Sequence, residues 1–376
     1  MTPVVVLGAT GSIGRQALDV CAELGAPVVG LASGRGGPEF VALAESHPDA
    51  RLAVATPDDL DALRRAFADR LDIGPAAVAD LATHPGATVL NGIVGFAGLD
   101  ASLAALGAGN RLGLANKESL VTAGPLVMAA MGDGELIPID SEHSAVFQCL
   151  VGERSTDVRR VVLTASGGPF RGRTKDELRD VSVAEALDHP TWDMGPRITV
   201  DSAALVNKGF EVIEAHHLFG LDLDRVDVVV HPQSVVHSLV EFVDGSLKAH
   251  LGSPDMRVPI RYALTYPVRG AAPSGFELAG IALDFEAPDR EAFPALGLAY
   301  AAGRAGAGAP AALNAADEVA VAAFLDERIG FADIAGVLEG TLDRVGAPPI
   351  DSVDAVREVD ATARRVAATI IEGLGR

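Results

Sequence analysis

Short apolar runs alternate along the first 140 residues with stretches in which apolar positions recur at helical spacing. Continuous apolar runs of this kind are typical of parallel strands that are buried on both faces. The alternation predicts a doubly wound, Rossmann-like α/β domain over residues 1–141. The expected strands are residues 4–7, 28–32, 52–55, 88–91, 111–115 and 135–139.

The pattern changes after about residue 150, where expected strands follow one another more closely. Strands at this density indicate a mixed or antiparallel sheet, and hence a second, central domain of α+β type over residues 142–268. Within it, residues 166–196 are irregular and contain Gly, Pro and His, which favours a mobile lid loop. Residues 207–214 have the pattern of a helix. The expected strands are residues 158–165, 198–201, 226–231, 235–242 and 247–252.

The rest of the chain is expected to be helical. Residues 269–293 are rich in Pro, Gly and Ala and form an expected connecting region, and residues 294–376 form a C-terminal helical domain. Asp351 or Ser352 is the expected N-cap of the last helix, because both side chains accept hydrogen bonds from first-turn N–H groups. The expected apolar face of that helix consists of Val353, Val356, Val359, Ala363, Val366 and Ile370.

Composition limits the classes of function. Of the 376 residues, 49% are hydrophobic and 22% are charged, which is typical of a globular protein with more than one core. Lys and Arg number 30 against 51 Asp and Glu, and the net charge of −21 disfavours nucleic acid and anionic membranes as partners. No uncharged apolar run reaches the roughly 18 residues of a membrane span. The N-terminus lacks a signal-peptide pattern, so a cytoplasmic location is expected.

Three glycines, Gly8, Gly11 and Gly14, join the first expected strand to a helix. Such a turn lets backbone N–H groups approach a pyrophosphate, which predicts dinucleotide binding. The spacing G-x-x-G-x-x-G is a variant of G-x-G-x-x-G, and a glycine turn without a nucleotide is the alternative. The second strand is followed by Ser33-Gly34-Arg35-Gly36 rather than by Asp or Glu, so Arg35 favours the 2′-phosphate of NADP.

Three carboxylates form a candidate ligand set for a hard metal ion. Asp140 and Glu142 follow the expected strand 135–139, and Glu211 lies in N-K-G-F-E-V. In an extended segment, residues at i and i+2 project to the same side. With one carboxylate from elsewhere they make an all-oxygen cage suited to Mg²⁺ or Mn²⁺. A solvated acidic turn is the alternative, but open α/β sheets bind ligands at the carboxyl ends of their strands.

Hydroxyl, amide and amine groups in three segments suit a phosphate monoester. Lys208 also lies three residues before Glu211 on an expected helix face. That spacing lets one helix hold a phosphate and a metal, and an i,i+3 surface ion pair is the alternative. The phosphate candidates are Ser166, Ser202, Asn207 and Lys208.

Four further residues have a possible role in chemistry. Lys117 follows the strand 111–115, where it either polarises a substrate oxygen or lies exposed at a helix start. Trp192 lies in H-P-T-W-D-M-G, where it either packs as an anchor or closes over a substrate and excludes water. Cys21 and Cys149 lack metal-binding spacing and are expected to be buried thiols.

The ordered set of motifs resembles the 1-deoxy-D-xylulose 5-phosphate reductoisomerase family over roughly residues 4–265, and the helical tail is similar too. Each motif alone is weak, but their order is specific. The motifs are G-A-T-G-S-I-G, N-K-E-S-L-V, D-S-E-H-S-A-V-F-Q, A-S-G-G-P-F, H-P-T-W-D-M-G, N-K-G-F-E-V-I-E-A, H-P-Q-S-V-V-H-S and G-S-P-D-M-R-V-P-I.

The resemblance implies a role for each matching residue. Asp140, Glu142 and Glu211 are the implied metal ligands, and the four phosphate candidates above form the implied phosphate site. The implied substrate contacts are Lys117, Ser141 and His189, with Trp192 and Met194 in the closing loop. The implied cofactor contacts are Thr10, Gly11, Ser12, Ile13, Gly34, Arg35, Gly36, Asn116, Glu118, Gly195 and Met256. Gly36 is a departure, because relatives are expected to carry Asn there, which removes one hydrogen bond on the adenosine side.

The resemblance also implies a reaction. A divalent ion, Mg²⁺ or Mn²⁺ with Co²⁺ also compatible, chelates a sugar phosphate whose carbon skeleton rearranges by fragmentation and re-addition before NADPH reduces the aldehyde. The expected assembly is a homodimer. One rival interpretation is a semialdehyde dehydrogenase with Cys149 as nucleophile, although the residues around it lack that signature. Another rival is a non-catalytic NADPH sensor, which has no need of three carboxylates and a phosphate site.

Overall fold

The chain folds into two compact units. The computed structural model describes residues 1–192, 194–273 and 275–375. The first unit contains Met1–Ser119, Val127–Ser144 and Asp255–Gly275, and the second contains Leu120–Leu126, Ala145–Pro254 and Phe276–Arg376. The division into four parts expected from the sequence stays a prediction about independent folding.

The first unit contains a parallel sheet of seven strands in the order β4-β3-β2-β1-β5-β6-β7. The strand order reverses at β1, whose Leu7 is in register with Ala32 on one side and Asn91 on the other. The topological switch point, where open α/β sheets bind ligands, therefore lies at the carboxyl ends of the neighbouring strands β1 and β5. The strands are β1 (Val4–Leu7), β2 (Val28–Ser33), β3 (Arg51–Val54), β4 (Leu71–Ile73), β5 (Thr88–Asn91), β6 (Arg111–Leu114) and β7 (Glu135–Pro138).

Fifteen α-helices lie among the described residues. In chain order the α-helices are α1 (Ser12–Leu24), α2 (Pro38–Ser46), α3 (Leu60–Phe67), α4 (Pro75–Leu81), α5 (Leu99–Gly107), α6 (Glu118–Ala129), α7 (Ser141–Leu150), α8 (Val183–Leu187), α9 (Pro196–Ala203), α10 (Val206–Phe219), α11 (Arg257–Thr265), α12 (Ala295–Ala305), α13 (Ala309–Leu325), α14 (Asp333–Val345) and α15 (Val353–Leu374). Short 3₁₀ turns cover Ala68–Arg70, Phe96–Gly98, Ser155–Asp157 and Leu223–Arg225.

The second unit contains a mixed sheet in the order β11-β10-β8-β9, as the strand density predicted. Strands β8 and β9 are parallel, and the other pairs are antiparallel. The helices α12 to α15 share with α10 a large apolar core, in which Phe170 packs edge-on against Phe331 at a centroid distance of 4.9 Å. The strands are β8 (Val158–Ala165), β9 (Val226–Val230), β10 (Val236–Phe242) and β11 (Leu247–Leu251).

The fold class expected from the sequence is confirmed, with two local errors. Residues 198–201 were expected to form a strand, and they lie inside helix α9. Pro196 occupies the first turn of that helix, where its missing N–H is harmless, and this start signal outweighs the β-branched Ile198 and Val200. The short edge strand β4, of 3 residues, was not expected.

Candidate active site

The glycine turn brings strand β1 and helix α1 into close contact. A Cβ atom on Gly14 would lie 2.3 Å from the carbonyl oxygen of Gly8, so only glycine permits this approach. Gly11 is the N-cap of α1 and provides no capping side chain. The first-turn N–H groups are therefore available to an anion, and Thr10, Ser12 and Ile13 lie half-buried or exposed beside them.

The loop after β5 is a part of this site that the sequence analysis missed. Gly8 has a φ of +76°, and a Cβ there would lie 2.7 Å from the carbonyl oxygen of Gly92. The side chain of Asn91 accepts a hydrogen bond from the backbone N–H of Ile93 at 3.1 Å. The glycines Gly92 and Gly95, which follow the expected strand 88–91, were the sequence signal that could have indicated this loop.

Asn116 and Glu118 hold that loop in place. The amide of Asn116 donates to the carbonyl oxygens of Ile93 at 2.7 Å and of Gly95 at 2.9 Å, and to the carboxylate of Glu118 at 2.9 Å. Glu118 also accepts from the backbone N–H of Gly95 at 2.9 Å. Both side chains are buried, and their hydrogen bonds fix the backbone of the loop after β5 from its interior side.

The loop after β2 carries Arg35, the residue that is expected to contact the 2′-phosphate of NADPH. Arg35 is exposed and forms an ion pair with Asp58 at 2.9 Å. Gly36 has a φ of +72°, and a Cβ there would lie 2.6 Å from a methyl of Leu63. A residue larger than glycine at this position would therefore displace Leu63. Gly34 has open space around its Cα.

Lys117 and Asp140 form a largely buried ion pair of 2.9 Å at the carboxyl ends of β6 and β7. The alternative of an exposed Lys117 is therefore wrong. Glu142 was expected to lie on an extended segment. It lies instead in the first turn of α7, where the hydroxyl of Ser141 donates a hydrogen bond to its carboxylate at 2.5 Å. A carboxylate in a helix first turn is favoured by the helix dipole. The ring of His143 lies 3.5 Å from Asp140 and is fully buried.

In the second unit, Ser166 and His189 contact each other at 3.0 Å between Oγ and Nε2. The other ring nitrogen of His189 accepts from the N–H groups of Thr191 at 3.2 Å and of Trp192 at 3.0 Å. Nδ1 is therefore unprotonated, and Nε2–H donates to Ser166. Burial lowers the pKa of His189, which favours this neutral form. Gly168 N–H also donates to Ser166 Oγ, at 3.1 Å.

Ser202 lies at the end of α9, next to the Ser166 loop. A Cβ on Gly168 would lie 3.0 Å from the carbonyl oxygen of Ser202 and 3.0 Å from the Cα of Ala203. Gly168 has a φ of +64°, so glycine suits this position in two ways. Two of the expected phosphate residues thus lie on segments in direct contact.

Helix α10 carries Asn207, Lys208 and Glu211, as the sequence predicted. The amide of Asn207 donates to Glu211 at 2.5 Å, and the amine of Lys208 pairs with the same carboxylate. The side chains of Lys208 and Glu211 are only 5% and 1% exposed, so the alternative of a surface ion pair is wrong. Leu205, just before this helix, has a φ of +58°, which is unusual for a bulky residue.

The remaining expected site residues are spread over both units. Trp192 is half-buried, with its ring centroid 6.5 Å from that of His237, whose pKa burial lowers to about 4. Gly195 is the N-cap of α9, and Met194 precedes it. Met256, in the first unit, is the N-cap of α11. Asp193 of the same motif as Trp192 lies outside the described residues.

Two expectations about composition can also be compared with the structure. Cys21 and Cys149 are buried free thiols, as expected, and burial raises the pKa of Cys21 to about 12. The environment of Cys21 therefore does not activate it as a nucleophile. Among the described residues, no helix combines the length and the apolar character that crossing a bilayer requires.

The parallel sheet, with its glycine turn at the switch point, defines a protein of the dinucleotide-binding α/β class. Three family models narrow this class. The model of 1-deoxy-D-xylulose 5-phosphate reductoisomerase matches residues 4–124, and its C-terminal domain models match residues 136–219 and 251–366. The chain belongs to the 1-deoxy-D-xylulose 5-phosphate reductoisomerase family, and the expectation from its motifs is confirmed.

Individual relatives agree over nearly the full length. The chain is 52% identical to the reductoisomerase of Xanthomonas axonopodis pv. citri, over 96% of this chain and 95% of that protein. It is 48% identical to that of Caulobacter vibrioides, over 98% and 96%. A solved structure of the Zymomonas mobilis enzyme in complex with NADPH is 42% identical, with a TM-score of 0.91 over 99% of each chain. A reductoisomerase in complex with NADPH, fosmidomycin and magnesium is 37% identical, with a TM-score of 0.94 over 100% of each chain.

Proposed function

We propose that this chain catalyses the NADPH- and divalent-metal-dependent conversion of 1-deoxy-D-xylulose 5-phosphate to 2-C-methyl-D-erythritol 4-phosphate in the non-mevalonate isoprenoid pathway. Family membership over nearly the whole chain supports the reaction. The structural observation that carries the proposal is the buried pairing of Lys208 with Glu211. Buried ion pairs are weak sources of stability, so this pair on a helix with further polar groups indicates a site.

Asp140, Glu142 and Glu211 are the proposed metal ligands. Their donor atoms are all carboxylate oxygens, which is the chemistry that Mg²⁺ and Mn²⁺ prefer. Asp140 and Glu142 follow β7 directly, and Glu211 lies on the buried face of α10. When bound, the divalent ion polarises the substrate carbonyl and acidifies the neighbouring hydroxyl, and NADPH supplies the hydride.

The phosphate of the substrate is proposed to bind Ser166, Ser202, Asn207 and Lys208. Ser166 Oγ already accepts two hydrogen bonds, from His189 and from Gly168 N–H. Its own proton is then directed at a further acceptor, such as a phosphate oxygen. Lys208 provides the positive charge that a dianionic group needs in a protein of net charge −21. Distant phosphate binding in turn positions the reacting carbons.

NADPH is proposed to bind the first unit at the glycine turn, with Thr10, Gly11, Ser12 and Ile13 at its pyrophosphate. Steric fit supports this assignment, because the Gly8–Gly14 contact leaves no room for side chains and keeps the end of α1 open. Gly34, Arg35 and Gly36 are assigned to the 2′-phosphate side. Asn116 and Glu118 act through the loop that they hold, and Gly195 and Met256 are assigned to the nicotinamide side.

Lys117, Ser141, His189 and Trp192 are proposed to contact the rest of the substrate. Lys117 holds a proton next to Asp140 and donates it in a hydrogen bond to a developing alkoxide. Trp192 and Met194 cover the site, and the surrounding segment 166–196 is proposed as the lid.

A cytoplasmic location and a homodimer complete the proposal. A strongly acidic surface supports a small-molecule enzyme that binds neither nucleic acid nor anionic membranes. Light scattering of the purified protein measures the assembly, and a mass of a single chain at micromolar concentration would contradict the homodimer.

The decisive experiment follows NADPH absorbance with 1-deoxy-D-xylulose 5-phosphate in the presence of Mn²⁺ or Mg²⁺. We expect NADPH oxidation that stops when a chelator is added and recovers when the ion is restored. Product analysis should give 2-C-methyl-D-erythritol 4-phosphate. NADPH oxidation that is unaffected by the chelator, or absent with both ions, would contradict the proposed function.

A further inference from the structure

A cluster of charged side chains in the second unit joins α9, α13 and α15. We call it the α9–α13–α15 cluster. It has no assigned place in the reaction, yet it contains a guanidinium and a carboxylate from α9, the helix that carries Ser202. Its members are Arg197 and Asp201 of α9, Asn314, Asp317 and Glu318 of α13, and Asp360 and Arg364 of α15.

Arg197 is the member that links α9 to α13. Its guanidinium donates to Glu318 at 3.2 Å, to Asn314 at 3.4 Å and to Asp317 at 3.5 Å. Its Nε also lies 3.7 Å from Asp201, one turn further along α9. The planar fork of an arginine suits several acceptors at once, which a lysine does not match.

Carboxylates outnumber guanidinium groups in the cluster. Asp317 is fully buried, and burial, together with the nearby Asp201, raises its pKa well above the ordinary value. Burial also acts to raise the pKa of Glu318, but Arg197 and Arg364 more than offset this, and the pKa is lowered. Without Arg197, α9 loses its hydrogen bonds to α13, and Asp201 and Glu318 lose a neighbouring positive charge, so the attachment of α9 to α13 is weakened.

A shift of α9 is transmitted to the phosphate site. The helix starts after Gly195, the end of the proposed closing loop, and it ends one residue after Ser202. Its end lies so close to Gly168 of the Ser166 loop that a Cβ atom on Gly168 would be 3.0 Å from the carbonyl oxygen of Ser202. The two proposed phosphate hydroxyls, of Ser166 and Ser202, therefore keep their relative position only while α9 keeps its place.

We propose that Arg197 is a positioning residue for the substrate's phosphate, and that through it the C-terminal helices fix the location of Ser202. Arg197 acts through α9 and does not touch the substrate. The inference deepens the proposed function and rests on it, because it assumes that Ser202 binds the phosphate. Under this proposal α13 contributes to substrate affinity through its polar contacts with Arg197, and not only through its apolar packing.

The test compares Arg197→Met with Arg364→Met, which removes the same charge from the same cluster. The hydrogen bonds of Arg364 go to Glu318 and Asp360 on α13 and α15, so its loss leaves the α9 contact of Glu318 in place. We expect Arg197→Met to raise KM for 1-deoxy-D-xylulose 5-phosphate about ten-fold, because misplaced binding groups weaken affinity steeply. Arg364→Met is expected to change that KM less than about two-fold while lowering the thermal midpoint.

A second substrate separates positioning from general damage. With 1-deoxy-D-xylulose, which lacks the phosphate, kcat/KM of Arg197→Met should stay within about two-fold of wild type. A merely structural role lowers the thermal midpoint and the active fraction but leaves KM unchanged. Equal losses with both substrates, or an unchanged KM for the phosphorylated one, would overturn the inference.

The double variant Arg197→Met/Asp317→Asn covers the case in which the single variant does not fold. It also replaces the buried carboxyl of Asp317 by a neutral amide of similar shape, so that no buried acid is left without its cation, but it still lacks the contacts of Arg197 between α9 and α13. We expect its KM for the phosphorylated substrate to be raised as well, and a wild-type value would overturn the inference. Failure of the proposed function is distinguishable, because the wild-type enzyme would then show no turnover at all.

Discussion

The exposed guanidinium of Arg35 forms an ion pair with Asp58, and backbone hydrogen bonds fix the loop that carries Arg35. The N–H of Asp58 donates to the carbonyl oxygen of Arg35 at 3.1 Å, and that of Thr56 donates to Gly34 at 2.8 Å. Exposed ion pairs contribute little to stability, so Arg35 is free to exchange its carboxylate partner for a phosphate. This is the behaviour expected of a group that distinguishes NADPH from NADH.

Changing Arg35 to Ala should therefore weaken NADPH binding about ten-fold and NADH binding less than two-fold, since only NADPH carries the 2′-phosphate. Arg51→Ala is the matched control, because Arg51 forms a similarly exposed pair with Asp72 in the same unit. Fluorescence titration with both cofactors measures the effect. An equal loss for both would refute the 2′-phosphate role of Arg35.

The residue types of the site could be predicted from the sequence, but their environments could not. Lys117 and Asp140 are 23 positions apart, and their ion pair depends on β6 and β7 being neighbours in the sheet. The burial of Lys208 and Glu211 likewise comes from the packing of α10 in the core of the second unit. Spacing alone left both lysines open to a surface interpretation.

Helix α9 shows where local patterns compete. Ile198 and Val200 are β-branched, which favoured a strand, whereas Gly195 and Pro196 form a helix start. The apolar alternation was too short to decide, and contacts of α9 with α8, α10 and α13 fix the helix. The long strand β8 was predicted well because its pattern agrees with its packing. In α15 the expected face is correct at Val356, Val359 and Ala363, but towards the C-terminus Ala367 and Ile371 are buried rather than Val366 and Ile370.

Ser352 is the N-cap of α15, one of the two residues that the sequence allowed. Its side chain accepts from the N–H of Ala355 at 3.2 Å, whereas Asp351 is exposed and precedes the cap. Ser352→Ala should destabilise the helical region by about 1 kcal/mol, as the loss of a cap typically does. Asp351→Ala is the control and should have a much smaller effect. Urea midpoints of the two variants give the comparison, and equal midpoints would contradict the assignment.

The whole molecule separates two tasks between its compact units. The first unit provides the glycine turn, Arg35 and two of the proposed metal ligands, and the second provides the proposed phosphate groups and Glu211. The account therefore stands on Asp140, Glu142 and Glu211 serving one ion.

The most direct test of this claim is to measure Mn²⁺ binding by electron paramagnetic resonance in the wild-type protein and in Glu211→Gln. Glu153→Gln is the matched control, because Glu153 lies in the same unit in an exposed pair with Lys248. We predict one tightly bound Mn²⁺ per wild-type chain and an affinity at least about ten-fold weaker in Glu211→Gln, with NADPH affinity unchanged in both variants. Wild-type Mn²⁺ affinity in Glu211→Gln would contradict the account.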